Sequence, residues 1–183
     1  MMFSLVSGLA GLFGKTEKHE YDIASIYLDL RSRVLKLEKE DCGDIGDRKV
    51  IAVLMDTGYL EAAVTLVSVF DGSASLYFSN GGGTIGSGKH ENVKSASQKL
   101  VTLSEKYFKR MKEVKEYPIA SPDYTTFYVV TTEGVFTYTT KEADLGEGKD
   151  EFSPLFYQAH EVIGQIRFAE EKMRSEQGNG GNA

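Results

Sequence analysis

The sequence predicts an α+β domain with a mostly antiparallel sheet of about five strands, a meander of three plus a hairpin, packed with three main helices. Three observations predict it. Runs rich in β-branched and aromatic residues come in groups joined by two-residue turns, Asp71-Gly72 and Glu133-Gly134, and such turns link antiparallel neighbours. Three other stretches carry apolar residues at three- and four-residue steps, the period of a helix with one buried face. The 183 residues are 41% hydrophobic and 26% charged, the composition of a globular chain long enough to bury a core without a disulfide or metal.

Each element follows from its local pattern. Ile23, Ile26, Tyr27, Leu30, Val34 and Leu37 form the first helical stripe, and the polar segment Glu40 to Arg48 with its two glycines reads as a loop. Val50 to Met55 is a continuous apolar run of strand length, turned by Asp56-Thr57-Gly58. Ala62 to Phe70 and Ala74 to Phe78 complete a meander around Asp71-Gly72. Asn80 to Gly88 is a glycine-rich loop that leads into a long helix, striped by Val93, Ala96, Leu100, Leu103, Tyr107, Met111 and Val114. Pro118 and Pro122 bracket its end. Thr125 to Thr132 and Val135 to Thr140 form the second hairpin, and Lys141 to Glu151 reads as an acidic loop. Ser153-Pro154 opens the last helix, an N-cap followed by proline at the first helical position. The expected organisation is an apolar segment over 1–17, one domain over 18–174 and a disordered tail over 175–183, the tail read from its Gly, Asn and Ser content.

Charge and composition restrict the function. Lys plus Arg number 21 against 27 Asp plus Glu, a net charge of −6, which repels phosphate backbones and argues against a nucleic-acid partner. The single cysteine, Cys42, leaves no internal disulfide and no Cys-based zinc site, and fits a reducing compartment. His19, His90 and His160 stand on separate elements without metal-ligand spacing, so no metal and no cofactor is expected. No serine lies in a nucleophile elbow, so no catalytic set is assembled. Met1 to Gly14 is apolar, but its first lysine, Lys15, follows the run where a secretory signal would have it first. Phe3, Val6, Leu9, Ala10 and Phe13 share one side at helical spacing. The opposite side has Ser and Gly where a membrane-surface helix carries Lys and Arg. The preferred reading is a segment packed on protein, and the expected location is cytoplasmic.

The glycine loop is the one motif with chemistry in it. Gly83 to His90 spell G-x-x-x-x-G-K-H, close to the phosphate-binding loop of nucleotidases, whose last residue is Ser or Thr to hold magnesium. Gly81, Gly82, Gly83, Gly86, Ser87, Gly88, Lys89 and His90 are therefore the candidate ligand-binding residues, for an anionic small molecule. His90 replaces the magnesium hydroxyl, and hairpin-linked strands are not the parallel strands that a nucleotidase needs. Beyond the loop, Lys89 to Lys115 hold eight basic residues against three acidic ones, a docking face for an acidic partner. Tyr128 and Tyr138, flanked by threonines, offer an exposed aromatic face.

The run Ser75-Leu76-Tyr77-Phe78-Ser79-Asn80-Gly81-Gly82-Gly83, with Gly86-Ser87-Gly88 and the helix behind it, resembles an uncharacterised bacterial protein family of small cytosolic members. The resemblance covers about Val50 to Leu103. It implies that the triple glycine is a family-specific turn, and it brings no catalytic residue. The layout is also similar to profilin-like and roadblock-like scaffolds, although the strand order around the middle helix departs from the latter. The function expected is a non-enzymatic protein-interaction module of the adaptor or immunity type, with a protein partner or self-association. The alternative is a phosphate or nucleotide binder using the glycine loop.

Overall fold

The computed structural model describes residues 21–179, and within them one seven-stranded sheet carries helices on both faces. The helices are α1 (Ser25–Leu35), α2 (Glu91–Ser104), α3 (Glu142–Gly146) and α4 (Ser153–Asn179). The strands are β1 (Val50–Gly58), β2 (Ala63–Val69), β3 (Ala74–Phe78), β4 (Gly83–Thr84), β5 (Lys112–Val114), β6 (Tyr124–Thr131) and β7 (Gly134–Lys141). Their order is β4-β3-β2-β1-β6-β7-β5, with every strand pair antiparallel. The fold class expected from sequence is observed, with the meander and the hairpin side by side. Residues 1–17, read as an apolar segment, lie outside the described residues. Helix α4 runs to Asn179, past Ser175, where composition places the start of a tail.

The sheet has seven strands where the sequence reading gives about five. The two extra strands are its edges. β4 is two residues and β5 three, too short for alternation to register. β5 lies where the helical stripe continues on paper through Met111 and Val114. In the fold α2 stops at Ser104, and the chain turns through a short 3₁₀ segment, Phe108–Arg110. Glu105, the first residue past α2, accepts the Lys49 and Val50 backbone N–H groups on its side chain, both at 2.9 Å. The turn buries Phe108 and Met111 in the same core that a longer helix would have reached, so the stripe persists while the helix does not. Both edge strands are short and β5 carries Lys112 and Glu113, features that discourage pairing with another chain.

Alternation along each strand divides two cores. Val50, Val53 and Met55 of β1, Leu66 of β2, Leu76 of β3 and Phe127 and Val129 of β6 face α2 and α4. Ile51, Ala52, Leu54, Val67, Tyr77, Tyr128 and Val130 face α1. Ile51 and Ala52 are consecutive yet share a face, because the β1–β6 register shifts between Val50 and Ala52. Tyr128 and Tyr138 make no common aromatic face. Tyr128 is buried towards α1, and Tyr138 stacks on Phe152 on the other side, ring centroids 3.9 Å apart.

Candidate interaction site

The glycine loop closes the edge of the sheet. Gly83 pairs with Tyr77 and Thr84 with Leu76. Gly86 N–H donates to Ser75 Oγ at 3.3 Å, and Gly88 backs onto the chain at Gly72 and Ser73. The loop thus runs antiparallel along the whole outer side of β3. A Cβ on Gly83 would lie 2.3 Å from the Leu76 carbonyl oxygen, so glycine is required by backbone-to-backbone contact. Its donors are turned inward: Gly81 N–H bonds Phe78 O, Gly82 N–H bonds Asn80 Oδ1 and His90 N–H bonds Ser87 O. The Ser87 side chain is buried, Lys89 is exposed and His90 is half-buried. The eight predicted residues are neighbours along the chain, and Ser87 alone of them is buried. Gly83→Ala is expected to cost about 1 kcal/mol by urea denaturation, since a two-residue edge strand can detach to relieve the contact. Phosphate is expected to shift the melting temperature of wild type and Lys89→Ala equally.

The element that sets the opposite face is α1, and a buried ion pair holds it. Asp56 lies within β1, where the sequence reading places a turn, and is fully buried. Its Oδ2 accepts Arg31 Nε at 2.9 Å and Arg31 Nη2 at 2.5 Å, and its Oδ1 accepts the Thr65 hydroxyl at 2.7 Å. Tyr27 shares a hydrogen bond with Thr65 at 2.8 Å. Arg31 also donates to the carbonyls of Tyr117 and Pro118, and its guanidinium lies 5.0 Å from the Tyr128 ring centroid. The Tyr128 hydroxyl donates to Pro118 O at 2.6 Å. One ion pair therefore joins α1, β1, β2, β6 and the 117–118 segment. Complete burial pushes the Asp56 carboxyl above its usual value, with Arg31 and Thr65 pulling against it. Burial beside Asp56 pushes the Tyr128 phenol up to about 12 and raises that of Tyr27.

The placement of α1 completes an apolar surface at the end of the sheet where β1 finishes. Four segments meet there. The β1–β2 turn closes with Tyr59 N–H on Ala62 O. The β3–β4 turn joins it through Ser79 N–H on Ala63 O and Ala63 N–H on Ser79 Oγ. The start of α1 joins through Ala24 N–H on Ser79 O, at 2.8 Å. The bend before β6 joins through Asp123 N–H on Gly58 O, at 3.0 Å, and Tyr21 ties to it by donating to Ala120 O. From these segments emerge Ile23, Ile26, Tyr59, Leu60 and Tyr124, with Leu60 75% and Ile26 51% exposed. A single exposed leucine is ordinary, whereas several large apolar side chains exposed at one end make a candidate interaction surface. Sequence reasoning missed this set. Ile23 and Ile26 read as buried members of a helical stripe, and Leu60 sat unremarked in a turn.

Other features are less concentrated. The basic run is broken by the end of α2, and two of its charges are paired, Lys109 with Glu133 and Arg110 with Glu151. A hollow of about 550 Å³ lies between α3 and α4, lined by Asp123, Lys141, Glu142, Phe156 and His160 among others. The His160 ring rests 4.3 Å from that of Phe156. Desolvation there lowers its pKa below the usual 6.5, opposed by Glu142 and helped by Arg167. The unfolded chain then takes up the proton first as pH falls through 6.5, so stability declines on acidification until the folded-state value is passed. An NMR titration is expected to place the His160 midpoint below 6.5, and His160→Gln to remove that part of the pH dependence.

Among the described residues no group of three His, Cys, Asp or Glu side chains could hold a metal ion, and no helix is long and apolar enough to cross a membrane. No family model, curated protein or solved structure matches the chain.

Proposed function

We propose that this chain is a non-enzymatic protein-interaction module of the adaptor or immunity type, acting in a bacterial cytoplasm. Its docking face is the apolar end of the sheet. The observation that carries this is the meeting of four chain segments at one place, three of which present large exposed apolar side chains. A rigid, preorganised patch of this kind loses little entropy on binding, and its isoleucine, leucine and tyrosine side chains supply the buried centre that a protein interface needs. The buried ionisable groups Asp56 and Arg31 are consumed in holding α1, and their partners lie within the chain. That is the arrangement of a scaffold.

The test is affinity capture with three baits: wild type, Ile26→Asp/Leu60→Asp, and Lys99→Ala/Lys106→Ala. The expected result is one protein retained by wild type and by the lysine variant and lost by the aspartate variant. Retention by the aspartate variant with loss by the lysine variant would move the docking face to the basic side of α2.

A further inference from the structure

We propose that the hollow between α3 and α4 is a binding site for a small organic cation with an aromatic body, an arylalkylamine in chemical class. The site is separate from the docking face and does not depend on it. Its volume, about 550 Å³, lies in the range of small-molecule pockets, about 300–1,000 Å³. Its surface is mostly carbon with a few polar groups, the usual make-up of such pockets.

The walls are in place before any ligand arrives. Leu145 anchors α3 in the core with no exposed surface. The Glu142 N–H is bonded to Asp123 O at 2.9 Å, and the Tyr157 hydroxyl donates to Gly146 O at 3.1 Å, which ties α3 to α4. A preformed wall needs little ordering on binding. Asp123 is the one non-glycine residue with a positive φ among the described residues, a conformation that gathers at binding sites.

The lining has two parts. Phe156 and His160 stand one turn apart on α4 with ring centroids 4.3 Å apart, an aromatic wall on which a further planar ring packs. Burial lowers the His160 pKa, so near neutral pH the imidazole adds ring surface and no charge. Asp123, Glu142 and Glu147 bring three carboxylates against the one ammonium of Lys141. Lys149 pairs with Glu147, and Asp123 and Glu142 still outnumber Lys141. Arg167, two helical turns beyond His160, is not in the lining. An ammonium on a short stem from the ring matches these carboxylates, whereas an anion meets like charge. Gly146 offers a way to fill the space. It has no positive φ, and a Cβ there would meet Phe156 Cε1 at an ordinary 3.9 Å, so a large side chain is admitted and takes the place of the ligand.

The experiment titrates the full chain with tyramine and follows the His160 and Phe156 ring signals by NMR. A saturable shift with a Kd of about 1 mM or tighter is expected. The para-hydroxyphenylacetate anion has the ring without the amine, and ethanolamine has the amine without the ring. Each should bind at least about tenfold more weakly. Glu142→Gln keeps an acceptor for the Tyr59 hydroxyl and should weaken tyramine about tenfold by removing a charge-assisted contact. Gly146→Leu should abolish binding with the melting temperature of wild type. No saturable shift up to about 10 mM, equal binding of the two aromatic probes, or undiminished binding in folded Gly146→Leu would overturn the site. If Gly146→Leu does not fold, Glu142→Gln decides, and an unchanged tyramine affinity in that variant overturns the assignment.

Discussion

Asp56→Ala is expected to cost about 3–5 kcal/mol of folding stability, the range for deleting one member of a buried ion pair. The size of the effect follows from what is left behind. Arg31 is only 5% exposed, and without the carboxylate its guanidinium keeps the Tyr117 and Pro118 carbonyls but loses its counter-charge. Thr65 loses its acceptor at the same time. Urea denaturation of wild type, Asp56→Ala, and Arg31→Met/Asp56→Leu separates charge from packing. The double replacement should recover much of the loss, because it leaves no buried charge without its counter-charge, although the Tyr117 carbonyl loses its Arg31 donor and Thr65 its Asp56 acceptor. A loss below about 1 kcal/mol in Asp56→Ala would show that the ion pair does not hold α1 in place.

Gly58→Ala is expected to cost about 3 kcal/mol, the upper part of the usual range for overpacking. A Cβ there would lie 2.1 Å from the Ser121 carbonyl oxygen, and the obstacle is backbone on both sides. β1 would have to part from the bend that carries Pro122 and Asp123, breaking the Gly58–Pro122 bridge. Asp123 itself has a positive φ of 67°, a conformation Asp adopts more readily than most residues. Its carbonyl accepts the Glu142 N–H, so the disturbance should spread to α3. Hydrogen exchange at Asp123 and Glu142 is expected to rise in Gly58→Ala. Unchanged stability and exchange would contradict the packing described for this end.

Much of the fold was legible in the sequence, and the reasons differ by element. The hairpin around Glu133-Gly134 and the meander around Asp71-Gly72 were readable because turn chemistry and alternation agree. Edge strands β4 and β5 were not, since two or three residues hold too little pattern. Asp56 read as a turn former because its partner, Arg31, is 25 residues away, and only the tertiary pairing makes a buried carboxylate tolerable. The glycine loop drew the eye as a phosphate cradle. Its composition is equally that of a chain pressed along a sheet edge, and sequence alone does not separate the two demands on glycine. The apolar end was invisible for a related reason. Its members come from three segments, and no window of sequence holds more than two of them.

The docking role of that end is tested most directly by photocrosslinking in the producing cell. A benzophenone residue is placed at position 60, and in a second chain at Asp71, an exposed residue in the β2–β3 turn at the opposite end of the sheet. The expected result is a discrete protein adduct from position 60, lost when Ile26→Asp is added, and none from position 71. Adducts from position 71 alone, or equal adducts from both that survive Ile26→Asp, would contradict it.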